Sequence, residues 1–221
     1  MIDTPATPKA FPNIGILESK LPFDLFENLK STIDNVSKLD EKYNSNLLGH
    51  MQEEYSLDHI KDNMSDFLLA MAGTWKDANP GYIELFEEVS KCEKYRLILD
   101  RLWVNKQKKY EFNPIHVHTG VLSFIIWIKI PYELKNEESY FPPSSSETES
   151  DRSNSFTSKL AFIYSDILGR TQTTAVPIDK SWEGSILMFP AGLNHCVHPF
   201  YTSDDYRISV SGNIRIDTNI N

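Results

Sequence analysis

Six histidines occur in the chain, and four of them fall in two tight pairs, His116 with His118 and His195 with His198. Neutral imidazole is a donor suited to iron, zinc, copper and nickel. In an extended segment, side chains at i and i+2 share a face. Ile115-His116-Val117-His118 therefore presents both imidazoles on one side and Ile115 and Val117 on the other. Two imidazoles so placed can reach one metal ion at ~2.0–2.2 Å. A polar strand face open to water has the same alternation, so the pair needs a third partner. His195-Cys196-Val197-His198 offers one. If that stretch is extended, its two histidines face opposite ways and only one can join the first pair. Alternation alone leaves open which. Cys196 reads as a small buried apolar residue beside it.

A second polar stripe follows. Arg207, Ser209, Ser211 and Asn213 alternate with Ile208, Val210 and, beyond Gly212, Ile214. The usual arrangement turns the apolar face inward and the polar face to water. A barrel that holds a ligand reverses this, and the rigid fork of Arg207 would then suit a carboxylate.

These residues need a frame. At 221 residues, with 40% hydrophobic and 24% charged side chains, the chain is long enough for one well-cored domain, 1–221. Phe23, Phe26, Leu29, Ile33 and Val36 recur at steps of three or four, which predicts a helix. A second helix is expected over Leu57–Trp75. A third is expected over Tyr82–Cys92, after the break at Asn79-Pro80-Gly81. Residues 1–20 read as extended, because Pro12 and Gly15 oppose helix. Residues 1–95 thus form a mainly helical support region. Strand signals then take over: Tyr95–Val104, Ile115–His118, Val121–Ile130, Leu160–Tyr164, Ser185–Phe189, His195–Val197 and Arg207–Ile214. Short strands separated by turn residues predict a sandwich or jelly roll over 96–215. Residues 135–158, with Pro142-Pro143, a serine run and several acids, read as a mobile insertion loop.

Bulk charge narrows the partners. Lys and Arg number 22 and Asp and Glu 31, a net charge of -9, so a phosphate backbone is a poor partner. Two cysteines form no disulfide framework, which points to a reducing, cytoplasmic setting. No signal-peptide core and no membrane-length apolar run is present.

Joined together, these motifs resemble a known family. The apolar stretch led by Gly184 and ending in Phe189-Pro190, then His195-x-Val197-x-Pro199, then Arg207-x-Ser209, is similar to the distal half of the 2-oxoglutarate/Fe(II) oxygenases. Trp103-x-Asn105 ahead of Asn113-x-x-His116-x-His118 resembles a subfamily encoded by phages and bacteria. The likeness covers roughly residues 100–215. It implies an α+β, mainly β fold with a double-stranded β-helix core and flanking N-terminal helices. It implies Fe(II) held by His116, His118 and His195, with His198 facing away. It implies 2-oxoglutarate as cosubstrate, its distal carboxylate on Arg207 beside Ser209, with Asn105 and Asn113 orienting ligands or cosubstrate. O2 is the oxidant, and hydroxylation of a small molecule or a protein side chain is the expected outcome. Most relatives carry Asp or Glu where His118 stands, so an all-histidine site departs from the family pattern. The nearest rival is a cupin, a metal-dependent jelly roll that does not use 2-oxoglutarate. Gly184-x5-Pro190-x-Gly192-x2-His195 resembles its second motif, but Pro199 replaces an expected Asn. Its first motif needs a Glu where Leu122 and Ser123 stand. A metal-free binding jelly roll would leave the paired histidines as coincidence.

Overall fold

The computed structural model describes residues 14–36, 49–92, 94–140 and 156–219. The extended reading of 1–13 and most of the expected insertion, 141–155, lie outside the described residues. The chain opens with strand β1 (Leu17–Lys20) and helix α1 (Phe23–Asp34). Strand β2 (Glu54–Ser56) and helix α2 (Lys61–Ala78) follow, then the short α3 (Glu87–Ser90). Next come β3 (Arg96–Gln107), β4 (Asn113–His116), β5 (Leu122–Lys129) and the short α4 (Leu134–Glu138). The rest is strand: β6 (Leu160–Ser165), β7 (Thr171–Val176), β8 (Ser185–Pro190), β9 (Asn194–Val197) and β10 (Arg207–Asp217).

Two antiparallel sheets result. One runs β1-β8-β5-β10-β3-β2, and the other runs β4-β9-β6-β7. Facing sheets of this kind form the jelly roll that the strand spacing predicts, in the double-stranded β-helix form that the family resemblance implies. Four details differ from the sequence reading. The start of the expected mobile loop 135–158 is instead helix α4, pinned by buried Glu137, which accepts from the Tyr201 and Thr202 N–H groups. The support region supplies strand β2 as well as β1, which falls in the stretch read as extended, and the two extend the larger sheet at either edge. The third helix is only a 3₁₀ turn (Ile83–Leu85) followed by α3. Strand β7, whose Thr171-Gln-Thr-Thr-Ala-Val176 carries no apolar alternation, pairs along β6.

Alternation along β5 and β10 sorts the cores. Leu122, Phe124, Ile126, Val210 and Ile214 turn outward against Leu29, Ile33, Met64, Leu68, Met71 and Trp75 of α1 and α2. Ile125 and Trp127 turn inward, among Tyr132, Leu160, Phe162, Leu187, Phe189 and Phe200. The helices thus bury the outer apolar face of the large sheet, which frees its inner face to carry polar groups. Gly212 belongs to this sorting. A Cβ there would meet Phe124 Cζ at 2.4 Å and the Arg101 carbonyl oxygen at 2.5 Å. Only glycine lets the Phe124 ring cross β10. Among the described residues, no helix is long and apolar enough to cross a membrane.

Candidate metal centre and polar wall

His116 and His195 are cross-strand partners on β4 and β9, and Phe162 of β6 pairs with His195 from the other side. His118 lies just beyond β4, with its backbone N–H donating to the Ala191 carbonyl. Ile115 and Val117 are exposed, as the alternation predicts, and the imidazoles turn inward. The three rings converge: centroids lie 4.3 Å apart for His116 and His195, and 5.0 Å for each of the other two pairs. One nitrogen of each lies within 4.8 Å of the others.

The backbone fixes which nitrogens face the centre. His116 Nδ1 donates to the Pro114 carbonyl at 2.7 Å, and His195 Nδ1 donates to the Leu193 carbonyl at 2.8 Å. A carbonyl only accepts, so Nδ1 carries the proton and a neutral ring has its lone pair on Nε2. Outer hydrogen bonds of this kind orient metal-binding imidazoles. His118 Nε2 lies 3.1 Å from His195 Nε2. Two nitrogens at right angles about one ion, each ~2.0–2.2 Å away, are separated by about 3 Å. All three rings are held neutral. Burial, then the neighbouring His195 and His116, pushes His118 down to about 3; burial, then His116, pushes His195 down to about 4. Burial also lowers His116. Neutral imidazoles bind a cation without first losing a proton. The donor set therefore fits one octahedral or tetrahedral metal ion. His198 is outside this cluster, with its ring on Phe156 and Cys196.

Aromatic side chains close the centre: Trp103 stacks on His118 at 5.5 Å, and Phe189 meets His195 edge-on at 5.0 Å. A cavity of about 40 Å³ begins at the histidines and is lined along one wall by Asn105, Gln107, Ser209 and Ser211, with Asn113 on the facing sheet. Register explains the wall. Trp103, Asn105 and Gln107 of β3 oppose Ser211, Ser209 and Arg207 of β10. The polar stripe of β10 thus faces inward, the reverse of the usual arrangement. Asn105 Nδ2 contacts Ser209 Oγ at 3.4 Å and Ser211 Oγ at 3.2 Å. The side-chain carbonyls of Asn105 and Asn113 are buried with no hydrogen-bond partner, that of Asn113 lying close against Gly49.

The structure brings six of the seven expected residues onto one cavity: His116, His118, His195, Asn105, Asn113 and Ser209. Arg207 is set one layer deeper and does not line it. Its guanidinium is 3% exposed, and every N–H is engaged. Nε and Nη2 donate to Gln107 Oε1 at 3.0 and 2.6 Å. Nη1 donates to Tyr132 Oη at 2.7 Å and the Ser158 carbonyl at 2.5 Å, and Nη2 donates to the His198 carbonyl at 2.8 Å. Among the described residues no carboxylate lies within ion-pair distance of it. Sequence reasoning missed Gln107 and Tyr132. The available signal for Gln107 was its place two residues after Asn105, on the same strand face.

A further carboxyl borders the wall. Glu54 of β2 pairs with Asn105 and is 1% exposed. Burial first, then the nearby Glu111, raises its pKa from 4.5 to about 7. A carboxyl that folds with a raised pKa favours the native state below its unfolded pKa and loses that contribution as pH climbs from about 4.5 to about 7. Glu54→Gln removes the cost of ionising in place. Its urea-unfolding free energy is expected to exceed the parent's by about 1–3 kcal/mol at pH 8 and to match it near pH 4.5. Parallel stability curves for the two proteins would contradict this account.

The fold and the three-imidazole centre define a class: a metal-binding jelly roll with a polar inner wall. Residues 101–213 match the family model described as "Putative 2OG-Fe(II) oxygenase". The chain belongs to that family. It is therefore an oxygenase that uses Fe(II), 2-oxoglutarate and O2, and not a cupin. No curated protein matches the chain. A prolyl-4-hydroxylase from Pseudomonas putida, 14% identical, superposes with a TM-score of 0.50 over 91% of this chain and 92% of that one. A prolyl hydroxylase from Trichoplax adhaerens, solved with a hypoxia inducible factor peptide fragment, is 8% identical and gives 0.50 over 93% and 84%. At such identity these likenesses show a shared fold.

Proposed function

We propose that the chain hydroxylates an unactivated C–H bond, with His116, His118 and His195 holding Fe(II) and Arg207 supplying the positive charge for the far carboxylate of 2-oxoglutarate. The observation that carries this reading is the joint placement, between the two facing sheets, of three neutral imidazoles and a buried arginine with no counter-ion among the described residues. With Fe(II), 2-oxoglutarate and O2 bound there, the site would supply oxidative decarboxylation, in which one oxygen atom of O2 ends in succinate, carbon dioxide leaves, and the other oxygen atom is available to hydroxylate a C–H bond.

The chain's own residues do the rest. Pro114 and Leu193 carbonyls keep the His116 and His195 lone pairs turned to the centre. Trp103 stacks behind His118 and fixes its plane. Phe162 and Phe189 shield the centre from water, which protects the oxidant from stray reductants. Ser209 and Asn105 give polar lining between metal and arginine. The solved neighbours named above include prolyl hydroxylases, so a prolyl side chain in a peptide is one substrate class to test, alongside small metabolites.

The test is an anaerobic titration of metal-free protein with Fe(II) and then 2-oxoglutarate, followed by visible absorbance. A charge-transfer band that needs both additions is the expected result. Iron uptake without a band would remove 2-oxoglutarate from the site. Failure to bind iron would remove the three-histidine centre itself.

A further inference from the structure

We propose that Gln107 is a stand-in for the cosubstrate's carboxylate: its side-chain oxygen occupies the edge of Arg207 that 2-oxoglutarate must take, so Gln107 sets cosubstrate affinity by yielding that edge. This rests on the proposed function above. A single oxygen, Gln107 Oε1, accepts from both Nε and Nη2 of Arg207. That edge of a guanidinium is well suited to bidentate recognition of a carboxylate. The other acceptors, Tyr132 Oη and the Ser158 and His198 carbonyls, come from three further segments, two of them backbone. They lock the guanidinium plane and leave the Gln107 edge as the one held by a rotatable neutral amide.

Position agrees with this. Gln107 lines the cavity that the histidines line, and Arg207 does not. The amide therefore stands between the open space and the charge. The cavity, about 40 Å³, has room for about three water molecules. 2-Oxoglutarate is several times larger, and withdrawal of Gln107 would enlarge this space beside the guanidinium. Among the described residues, Gln107 is tethered on its other side by one bond, Nε2 donating to the Glu111 carbonyl at 2.5 Å. Exchanging its neutral oxygen for a carboxylate gives the buried cation a counter-charge, while the uncharged amide loses little on turning away. No such gain follows from displacing Tyr132, whose ring packs against Phe200 in the core.

Two substitutions with opposite expected signs test this. Gln107→Ala removes the competitor. Metal-free variant protein should melt lower than the parent because Arg207 loses an acceptor. It should bind 2-oxoglutarate roughly tenfold tighter in the anaerobic Fe(II) titration. Gln107→Glu places a permanent carboxylate on Arg207. It should take up Fe(II) as the parent does, yet weaken 2-oxoglutarate by more than about a hundredfold. A merely structural glutamine would weaken binding in both variants. That result, or parental affinity in Gln107→Glu, overturns the proposal. If Gln107→Glu does not fold, the sign of the change in Gln107→Ala decides alone. A parent that binds Fe(II) but never 2-oxoglutarate overturns the functional reading first, and is told apart because no variant is needed to see it.

Discussion

His195→Ala protein is expected to emerge from anaerobic desalting without iron, and to turn over no 2-oxoglutarate. His195 is 4% exposed and adjoins both other histidines of the cluster: its Nε2 is 3.1 Å from that of His118, and its ring is 4.3 Å from that of His116. Removing it leaves two neutral donors and no carboxylate at the centre. Loss of an outer hydrogen-bond partner alone costs 10- to 100-fold in metal affinity, so loss of a ligand from an uncharged set of three should cost more than about 100-fold. Competition against a chelator of known affinity measures it. The ring's own structural bond is a single one, Nδ1 to the Leu193 carbonyl in the β8–β9 turn, so far-UV circular dichroism should be unchanged. A variant that keeps stoichiometric iron would show that the metal is held elsewhere.

Arg207→Ala should fail twice, in cosubstrate binding and in stability. Five hydrogen bonds run from this guanidinium to four acceptors, and all of them lose their donor together. Stranding buried acceptors of this kind, with a cavity between Tyr132 and Phe200, should cost about 3–5 kcal/mol. Urea unfolding reads that loss directly. Affinity for 2-oxoglutarate should fall by more than about a hundredfold, because a buried carboxylate would then have no counter-charge. Arg207→Lys separates the two effects. A lysine restores charge without the planar fork, so it should recover part of the cosubstrate affinity and little of the stability. If Arg207→Ala binds 2-oxoglutarate like the parent, some other cation receives the carboxylate and the inner wall has been assigned the wrong role.

The three-histidine cluster was legible from sequence because period-two alternation supplies two of its members and the family resemblance supplies the third. His116-x-His118 needs only an extended backbone, and the resemblance selects His195 over His198. The helices α1 and α2 were legible for a similar reason, since their apolar spacing is strong. The inward turn of β10 was not. Arg207-Ile-Ser-Val-Ser reads the same whichever face meets water, and the choice is made by α1 and α2, which cover the apolar side from another part of the chain. Strand β2 is three residues of mixed character, too short to show a period, whereas β1 falls in the stretch that Pro12 and Gly15 mark as extended. Gln107 was hidden for a different reason. A glutamine in a strand is unremarkable until its partner a hundred residues away is known to be buried.

Strand order has a consequence for how the chain is made. β10, the last element in the described chain, lies in the interior of the larger sheet, bonded to β5 on one side and β3 on the other. During synthesis, β3 and β5 leave the ribosome long before residues 207–217 arrive to join them. Until then each has an open edge, and the helices have only part of a surface to cover. The sheet therefore cannot close from its N-terminal end onward, and folding must await the release of β10. Overexpression that outruns chaperone capacity should deposit this chain through those waiting edges.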